Sequence, residues 1–320
     1  MKKEYGVIPI ASDRQEYLAA VLAALRPGGT DVRAFYEHRV GVICTDPDLM
    51  LMLWDDHLVH RGDGVFETMK FIGKKLYQLE AHLDRIRRSC RAIHLAPPCD
   101  WDRMREIAVE VARAAGTEDG MVRIMIGRGP GSFGIDPADC PVASLYLAAY
   151  DLHSRPEAAF EKGVTAFRSS IPAKQSYLAS IKSIDYLPNV LMKREAAEKG
   201  YDYPLCFDEH GFLAEGATEN VVIVDQSGEL LIPEFTNALA GTTLLRAIDL
   251  VRGEIEVRYK KIQEHEILEA REVILVGTTN DALSVVRFNG KPIHNVQPGP
   301  VSRRLRELIR ADIQAEGLPF

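Results

Sequence analysis

The segment S-I-K-S-I-D-Y-L-P-N-V-L at residues 180–191 places Lys182 in an apolar-leaning stretch directly ahead of a predicted helix. Two further segments follow along the chain, A-E-G-A-T-E-N at residues 214–220 and A-G-T-T at residues 240–243. The first supplies an amine, the second a carboxylate between small residues, and the third free backbone N–H groups where a helix begins. Each segment alone is weak evidence, so the prediction of a common site depends on their combination.

The length of the chain, 320 residues, exceeds what one ordinary hydrophobic core organises and predicts two domains of roughly 150 residues each. We expect an N-terminal domain over residues 1–150, a polar linker over residues 151–157 that contains Pro156, and a C-terminal domain over residues 158–320. Two domains leave room for a cleft between them, and we expect the site there.

The composition is that of a soluble globular protein, with 46% hydrophobic and 27% charged residues. A net charge of -7 disfavours nucleic-acid binding, because phosphate contacts need a basic surface. The five cysteines lack C-x-x-C spacing, which indicates neither a disulfide framework nor a zinc site and fits a reducing cytoplasm. Residues 1–6 lack the apolar core of a secretory signal, and no apolar run approaches the ~20 residues that span a membrane. We therefore expect a cytoplasmic protein without membrane or nucleic-acid partners.

Hydrophobic periodicity predicts helices and strands that intermix without a strict βαβ rhythm. In the first domain we expect helices at residues 12–25, 80–95 and 101–115, and strands near residues 40–44, 64–71, 74–79, 121–127 and 142–149. In the second domain we expect strands near residues 164–169, 203–208, 220–225, 229–232, 254–259, 272–276 and 282–288, and helices at residues 185–199, 242–252, 262–270 and 299–316. Ser12 and Gln15 have the spacing of a capping box for the first helix. The pattern predicts an α+β fold of two α/β domains with mixed, largely antiparallel sheets.

Lys182 and Glu215 are the candidate chemical groups. Desolvation in an apolar stretch lowers the pKa of a lysine, which favours covalent attachment to an aldehyde, whereas a solvated surface position is the ordinary alternative for Lys182. The small residues beside Glu215 leave space for a flat ring, and a carboxylate there keeps a pyridine nitrogen protonated. The alternative for Glu215 is a solvated position in a turn over residues 211–216.

The third segment predicts an anion site. Gly241, Thr242 and Thr243 open a helical run, so backbone N–H groups and two hydroxyls meet at a helix N-terminus, with ordinary threonine capping as the alternative. Thr278 and Thr279 follow a predicted strand and either supply further donors or form a plain turn. An amine, an acid and a phosphate cradle together indicate pyridoxal 5'-phosphate as the cofactor, bound at the domain interface.

In order and spacing, these motifs resemble those of the class IV, or fold-type IV, pyridoxal-phosphate aminotransferases. This family includes branched-chain and D-amino-acid aminotransferases and 4-amino-4-deoxychorismate lyases. The resemblance extends over residues 41–287. It implies a homodimer whose partner chain completes the substrate pocket, with the cofactor between the two domains of each chain.

The resemblance also implies roles for individual cofactor contacts. Lys182 matches the lysine that binds the cofactor aldehyde and moves a proton, and Glu215 matches the partner of the pyridine nitrogen. Arg85 in E-A-H-L-D-R-I matches a phosphate-binding arginine, and Tyr186 matches a tyrosine that hydrogen-bonds the ring hydroxyl. The segment that contains Gly241, Thr242 and Thr243 matches a phosphate loop, and the later pair Thr278 and Thr279 matches a phosphate or substrate loop.

The resemblance also implies substrate contacts, which differ between branches of the family. Arg128 in G-R-G matches a position that clamps the substrate carboxylate in the D-amino-acid branch, and Phe66 and Thr279 complete the expected contacts. The segment H-R-G-D-G-V-F-E-T at residues 60–68 is more similar to the D-amino-acid and lyase branches than to the branched-chain enzymes.

This chain departs from the family pattern at three places. Val59 replaces a tyrosine that assists the carboxylate clamp, and Asp185 stands where the family has Asn. Asn280 and Asp281 replace the more usual Ala-Glu. These departures affect the choice of substrate and not the cofactor.

The sequence therefore predicts a pyridoxal-phosphate-dependent aminotransferase that exchanges amino groups between an amino acid, branched-chain L- or D-, and a 2-oxo acid. The first alternative is a lyase that releases pyruvate from 4-amino-4-deoxychorismate with the same cofactor and lysine. A remote alternative is a pyridoxal-phosphate-binding protein without turnover.

Overall fold

The computed structural model describes residues 8–24 and 26–320. Its helices are α1 (Arg14–Ala23), α2 (His57–His60), α3 (Leu79–Ala92), α4 (Trp101–Ala114), α5 (Glu157–Lys162), α6 (Ser176–Ala179), α7 (Leu187–Lys199), α8 (Thr242–Val251), α9 (Glu264–Glu269) and α10 (Pro300–Glu316). The strands of the first half are β1 (Val32–Glu37), β2 (Val42–Cys44), β3 (Gly64–Ile72), β4 (Lys75–Leu76), β5 (Gly120–Gly127) and β6 (Ser144–Tyr150). Those of the second half are β7 (Val164–Arg168), β8 (Tyr203–Phe207), β9 (Leu213–Gly216), β10 (Asn220–Val224), β11 (Leu230–Pro233), β12 (Val257–Lys260), β13 (Glu272–Gly277), β14 (Asp281–Phe288), β15 (Lys291–Pro292) and β16 (Leu318–Pro319).

The first sheet has seven antiparallel strands in the order β16-β4-β3-β5-β6-β1-β2. Because side chains of a strand alternate between the two faces, β3 sends Val65, Met69 and Phe71 into a core that α3 and α4 cover. The intervening residues Phe66 and Thr68 line a cavity on the opposite face. The central strands therefore have a packed face and a functional face.

The second sheet has the order β12-β11-β10-β13-β14-β7-β8-β9, and a further pairing of β9 with β10 closes six of these strands into a barrel. Most neighbours are antiparallel, but β7 pairs in parallel with both β8 and β14, and β11 pairs in parallel with β12. Along β10, Val221 and Ile223 point into the barrel core, and Val222 and Val224 pack beneath α8 and α10. Burial on both faces explains why this strand is an uninterrupted apolar run.

The fold class predicted from the sequence is confirmed, and most predicted elements lie within a few residues of their observed bounds. One predicted helix cap is wrong, and several elements were not predicted. Helix α1 is capped by Asp13, whose carboxylate accepts from the N–H of Glu16, so the cap stands one residue later than Ser12. The unpredicted elements are strands β1, β9, β15 and β16 and the short helices α2, α5 and α6. Strand β9 overlaps the turn over residues 211–216 that was the alternative for Glu215, and it forms because the barrel closes there. The predicted end of the first helix, Leu25, and the start of the chain lie outside the described residues.

The predicted division of the chain at residues 150–158 stays a prediction. Strand β6 ends the central part of the first sheet at Tyr150, and the barrel begins with β7 at Val164. The last strand, β16, returns from the end of α10 to pair with β4 of the first sheet. This return fastens the C-terminal helix to both halves of the molecule.

Across the part of the chain that is described, no helix has both the length and the apolar character that crossing a membrane requires.

Candidate active site

A cavity of about 490 Å³ opens between the two sheets. The first sheet and its covering helix contribute residues such as Phe66, Arg85 and Arg123, and the second half contributes Lys182, Glu215 and others. A cleft between two packed layers that carries a few converging polar groups is the usual form of a cofactor site. Of the residues predicted to form the site, this cavity brings together all except Arg128.

The backbone around Lys182 is fixed by an edge contact with strand β3. The N–H of Phe66 donates to the carbonyl of Lys182 at 2.9 Å, and the N–H of Ile184 donates to the carbonyl of Gly64 at 2.9 Å. The N–H of Lys182 itself donates to Oγ of Ser89 on α3 at 3.2 Å. The lysine is therefore held against the first sheet although it lies in the second half of the chain.

The amine of Lys182 projects into the cavity beside two aromatic rings. Its Nζ donates to the hydroxyl of Tyr186 at 3.1 Å and lies 4.6 Å from the ring centroid of Phe66. The rings of Phe66 and Tyr186 meet edge to face, with centroids 4.9 Å apart. These contacts leave the amine a narrow range of positions.

Burial is the main cause that lowers the pKa of Lys182 to about 8, and the nearby charge of Arg85 acts in the same direction. The carboxylates of Glu67 and Glu215 oppose the shift without cancelling it. Because only the neutral amine is a nucleophile, a lowered pKa gives a much larger reactive fraction near neutral pH than an ordinary lysine has.

Glu215 is placed at the end of β9 by its pairing with Asn220 of β10. Its Oε2 accepts from the N–H of Leu239 at 3.0 Å. Burial raises the pKa of Glu215 to about 7, against the effects of the Leu239 N–H, Lys182 and Lys174. A buried carboxylate without a partner is unfavourable because it has lost its hydration. A cationic ring nitrogen beside it would offset that desolvation and stabilise the charged form.

The Gly241 position requires glycine. A Cβ atom built there would overlap Oδ1 of Asn220, so any other residue would displace that amide. Asn220 in turn donates from Nδ2 to the carbonyl of Leu239 at 2.7 Å, so one amide orders the loop that leads into α8. Thr242 and Thr243 follow as buried residues of the first turn of α8. At the N-terminus of a helix, their backbone N–H groups and hydroxyls are suited to bind an anion.

Arg85 and Thr242 belong to one buried hydrogen-bond network. Its other side chains, Glu67 and His82, were not among the predicted site residues. Arg85 donates from Nε and Nη2 to the carboxylate of Glu67, at 2.6 and 2.7 Å, and from Nη1 to the carbonyl of Ala240 at 3.3 Å. His82 stands between Glu67, 2.7 Å from its Nδ1, and Thr242, whose Oγ1 is 3.3 Å from its Nε2. The network ties the arginine of the first half to the helix start of the second half.

The charges of this network are matched. Burial by itself would raise the pKa of Glu67, but Arg85 and His82 outweigh it and bring that pKa to about 2. Burial lowers the pKa of His82 despite its contact with Glu67. The sequence signal for both residues was their place within motifs already noted, Glu67 in F-E-T and His82 one helical turn before Arg85.

Of the three residues predicted to contact the substrate, two line the cavity and one does not. Phe66 and Thr279 line the cavity, and so does Thr278. Arg128 lies outside the lining, where its guanidinium donates to the carboxylate of Asp63 at 2.9 and 3.0 Å and to the carbonyls of Ile93 and His94. The predicted contact between Arg128 and the substrate stays a prediction. Within one chain it conflicts with these four hydrogen bonds, because they already engage the guanidinium.

Arg123 is a cavity residue that the sequence analysis did not single out. It lies on β5 with its guanidinium 5.4 Å from the ring of Phe66 and 5.6 Å from that of Tyr150, and its Nε donates to Oγ1 of Thr68 at 3.3 Å. Among the described residues it forms no ion pair. The available signal was a charged residue inside the otherwise apolar strand M-V-R-I-M-I.

The arrangement fits pyridoxal 5'-phosphate. A desolvated lysine faces the aldehyde position, a carboxyl group of raised pKa can meet the ring nitrogen, and a glycine-dependent cradle can hold the phosphate. Asn189 Oδ1 is also buried at the cavity wall without a protein partner among the described residues. When bound, this cofactor supplies an electron sink for chemistry at the α-carbon of an amino acid.

Comparison with known proteins agrees with this geometry. The family model described as "Amino-transferase class IV" matches residues 64–288, more than half of the chain. The chain is 34% identical over 298 residues to the chloroplastic D-amino-acid transaminase of Arabidopsis thaliana, a match that covers 91% of this chain and 79% of that protein. It is 26% identical over 287 residues to the bifunctional aminodeoxychorismate lyase / D-amino acid transaminase of Mycobacterium tuberculosis, covering 84% of this chain and 96% of the relative.

Solved structures share the fold. The branched-chain amino acid aminotransferase from Escherichia coli superposes with a TM-score of 0.81 at 23% identity, covering 89% of this chain and 96% of that one. A hypothetical aminotransferase from Mycobacterium tuberculosis in its PLP-bound form superposes with a TM-score of 0.77 at 26% identity, covering 88% and 99%. The family model, the relatives and the fold all indicate the same family. The chain belongs to the class IV aminotransferases and is a pyridoxal-phosphate-dependent enzyme of that family.

Proposed function

We propose that this aminotransferase takes amino groups from D-amino acids and passes them to a 2-oxo acid, with Lys182 as its catalytic base. The observation that carries the proposal is the convergence of the Lys182 amine and the Glu215 carboxyl group on one cavity. The preference for the D series is supported by the 34% identity to a D-amino-acid transaminase and by the segment at residues 60–68.

Lys182 has two tasks in this proposal. Its neutral amine would hold the aldehyde of pyridoxal 5'-phosphate, and once freed it would serve as the base that takes up and returns the proton at the substrate α-carbon. The hydroxyl of Tyr186 lies 3.1 Å from Nζ and orients it between these tasks. Burial raises the pKa of Tyr186, so the hydroxyl stays a proton donor at working pH.

Glu215 would bind the protonated ring nitrogen of the cofactor in this proposal, and the N–H of Leu239, which donates to Oε2, orients its carboxyl group. Arg85, Thr242 and Thr243 would hold the phosphate group of the cofactor. Because Glu67 already neutralises most of the Arg85 charge, the cradle depends on backbone N–H groups at the start of α8 as well as on the arginine.

Arg123 is our candidate for the substrate carboxylate. Its guanidinium lines the cavity near Phe66 and Thr68 and, among the described residues, has no carboxylate partner of its own. A guanidinium is well suited to this task because its parallel N–H groups match the two oxygens of a carboxylate.

A lyase reaction is the second candidate, because the Mycobacterium tuberculosis relative carries both activities in its name. The two reactions differ in their need for an acceptor. Release of pyruvate from 4-amino-4-deoxychorismate without any 2-oxo acid identifies the lyase. Under the same condition, the aminotransferase completes only the first half of the exchange and keeps the amino group on its cofactor.

The first experiment adds D-alanine, L-leucine or L-glutamate to the purified holoenzyme without a 2-oxo acid. We expect D-alanine to shift the visible absorbance of the bound cofactor in one turnover, because the amino group stays on the enzyme. The Lys182→Ala variant should lose this reaction roughly 10²–10⁴-fold, the usual contribution of a positioned base. Lys174→Ala, the matched change at a second cavity lysine, should leave covalent attachment of the cofactor intact. A shift with L-leucine alone contradicts the D preference.

The Glu215→Gln variant tests the ring-nitrogen contact. We expect turnover to fall by roughly 10²-fold or more while the cofactor still binds, because a neutral amide cannot keep the nitrogen protonated. Glu215→Asp is the conservative control. Turnover near the parental value in the Gln variant contradicts the assignment.

The raised pKa of Glu215 also predicts a pH dependence of the cofactor-free protein. The folded state holds this proton more tightly than the unfolded state, so its stabilising contribution is complete below pH 4.5 and is lost as the pH rises through about 7. The difference in unfolding free energy between parent and Glu215→Gln should therefore vary across this window in urea titrations. A difference that does not vary with pH contradicts the raised pKa.

The Arg123→Met variant should raise the KM for amino donors about 10- to 100-fold with a smaller change in kcat, which corresponds to the roughly 1.5–3 kcal/mol of a charge-assisted hydrogen bond. Arg128→Met is the matched comparison, with the melting temperature recorded for both. If Arg128→Met raises the KM more than Arg123→Met does, the substrate carboxylate is assigned to Arg128 and not to Arg123.

We also propose a cytoplasmic homodimer. An apolar patch on the first half exposes Trp54, Phe133, Ile135 and Val142, of which Ile135 is 84% accessible. The loop that carries Phe133 is held rigidly, since the N–H of Gly131 donates to the carbonyl of Asp55 at 3.1 Å. Ordered apolar side chains in one exposed patch are typical of an interface.

Light scattering during gel filtration tests this interface. The parent should elute as a dimer, and Phe133→Asp should shift it towards a monomer because it places a charge in the buried contact. Val190→Asp, at an exposed position on α7, is the control and should stay dimeric. A monomeric parent contradicts the proposal.

A further inference from the structure

A buried ion pair joins the two sheets beside the cavity. Nζ of Lys70, on strand β3, donates to Oδ1 of Asp281, the first residue of strand β14. Both residues are nearly inaccessible, at 4% and 8% exposure. The partners are 211 positions apart in sequence, so this contact exists only when the two halves of the chain have docked.

The position of Lys70 relates the pair to the cavity. Phe66 and Thr68 on the same strand line the cavity, and Lys70 follows them at the same two-residue interval, on the same face. Its ammonium also lies 5.9 Å from the ring centroid of Tyr77. Lys70 is therefore directed at the second sheet from the strand that forms the cavity wall.

Asp281 stands directly after the cavity-lining turn. The turn joins β13 to β14 and is closed by a hydrogen bond from the N–H of Asn280 to the carbonyl of Gly277 at 3.2 Å. Asp281 itself has a φ of +52°, in the left-handed region that Asp and Asn tolerate better than most residues. A change in the position of Asp281 is therefore transmitted to Thr278 and Thr279, which line the cavity.

The neighbouring Asn280 fixes the turn from the other side. It is 2% exposed, accepts from the hydroxyl of Tyr203 at 3.2 Å and donates to Oε1 of Glu219 at 3.4 Å. Asn280 thus holds the turn to the barrel, and Asp281 holds it to the first sheet. These are the two positions at which this chain departs from the family's Ala-Glu.

We propose that Lys70 and Asp281 are positioning residues that set the Thr278–Thr279 turn against the phosphate end of the cavity. The turn reaches that end because Val276, just before it, pairs with Asn220, which in turn contacts Gly241. The inference rests on the proposed phosphate cradle and extends it to a residue pair that does not line the cavity.

A purely structural role is the competing explanation. A buried ion pair costs desolvation energy, and removal of one partner leaves an uncompensated charge that destabilises the fold. Stability alone therefore does not separate the two explanations. Positioning of the turn predicts, in addition, a loss of affinity that depends on the phosphate group of the ligand.

The variants are chosen to separate these effects. Asp281→Asn keeps the size of the side chain and its tolerance of the left-handed conformation, and Lys70→Met keeps much of the length without the charge. The double variant removes both charges of the pair, so no buried charge is left without a partner. Lys70→Arg is the conservative rescue, and Tyr77→Phe is the control, because it removes another buried contact between the halves, with Asp312, that does not involve the turn.

The measurement is titration of each cofactor-free variant with pyridoxal 5'-phosphate and, separately, with pyridoxal, alongside a thermal melt. We expect the dissociation constant for pyridoxal 5'-phosphate to rise about tenfold in both single variants and in the double variant. We expect the constant for pyridoxal to stay within about twofold of the parent. Lys70→Arg and Tyr77→Phe should resemble the parent in both titrations.

The outcomes are distinguishable. Equal weakening for both ligands, or weakening in the single variants that the double variant relieves, overturns the inference and assigns the pair a structural role. Parental affinities in every pair variant overturn it as well. If the parent itself binds the two ligands equally, the phosphate cradle of the proposed function has failed, whatever the pair variants do.

Discussion

The active site depends on the edge contact between strand β3 and the segment that carries Lys182. Two backbone hydrogen bonds, from Phe66 and from Ile184, fasten residues of the second half of the chain to the first sheet. Backbone hydrogen bonds have defined lengths and directions, so they fix the lysine more closely than side-chain packing alone. The cavity exists because this contact brings the functional face of the first sheet against the mouth of the barrel.

Burial then gives the enclosed groups their chemical character. The same loss of solvent that lowers the pKa of Lys182 raises that of Glu215, because burial disfavours whichever form is charged. Arg85 and His82 hold the pKa of the buried Glu67 carboxyl at about 2 in the same region, because they contact it at short range. The site therefore offers, within one cavity, an amine that loses its proton more readily than an ordinary lysine and a paired Arg85–Glu67 contact beside the start of α8.

Prediction from sequence succeeded where a local pattern decides the structure. Strand β10 and helices α3, α4, α8 and α10 follow directly from apolar periodicity. It failed where a partner distant in sequence decides it: the residues of β9 resemble a turn because only closure of the barrel pairs them. For the same reason Arg123, in a strand with apolar residues on both faces, was not distinguished from an ordinary strand residue. The substrate contact of Arg128, which the family resemblance implies, stays a prediction, and its guanidinium donates to Asp63 within the chain.

By itself the sequence determined the fold class, the family and the cofactor, and it predicted Lys182 and Glu215 as the residues that serve that cofactor. These depend on short motifs whose residue types are dictated by the chemistry they perform, so they can be recognised without coordinates. Only the tertiary structure decided that Glu67 and His82 support Arg85, that Arg123 faces the cavity, and that Lys70 meets Asp281. Each of these contacts joins residues that no local pattern relates, because their distance is set by how the two sheets dock and not by their separation along the chain.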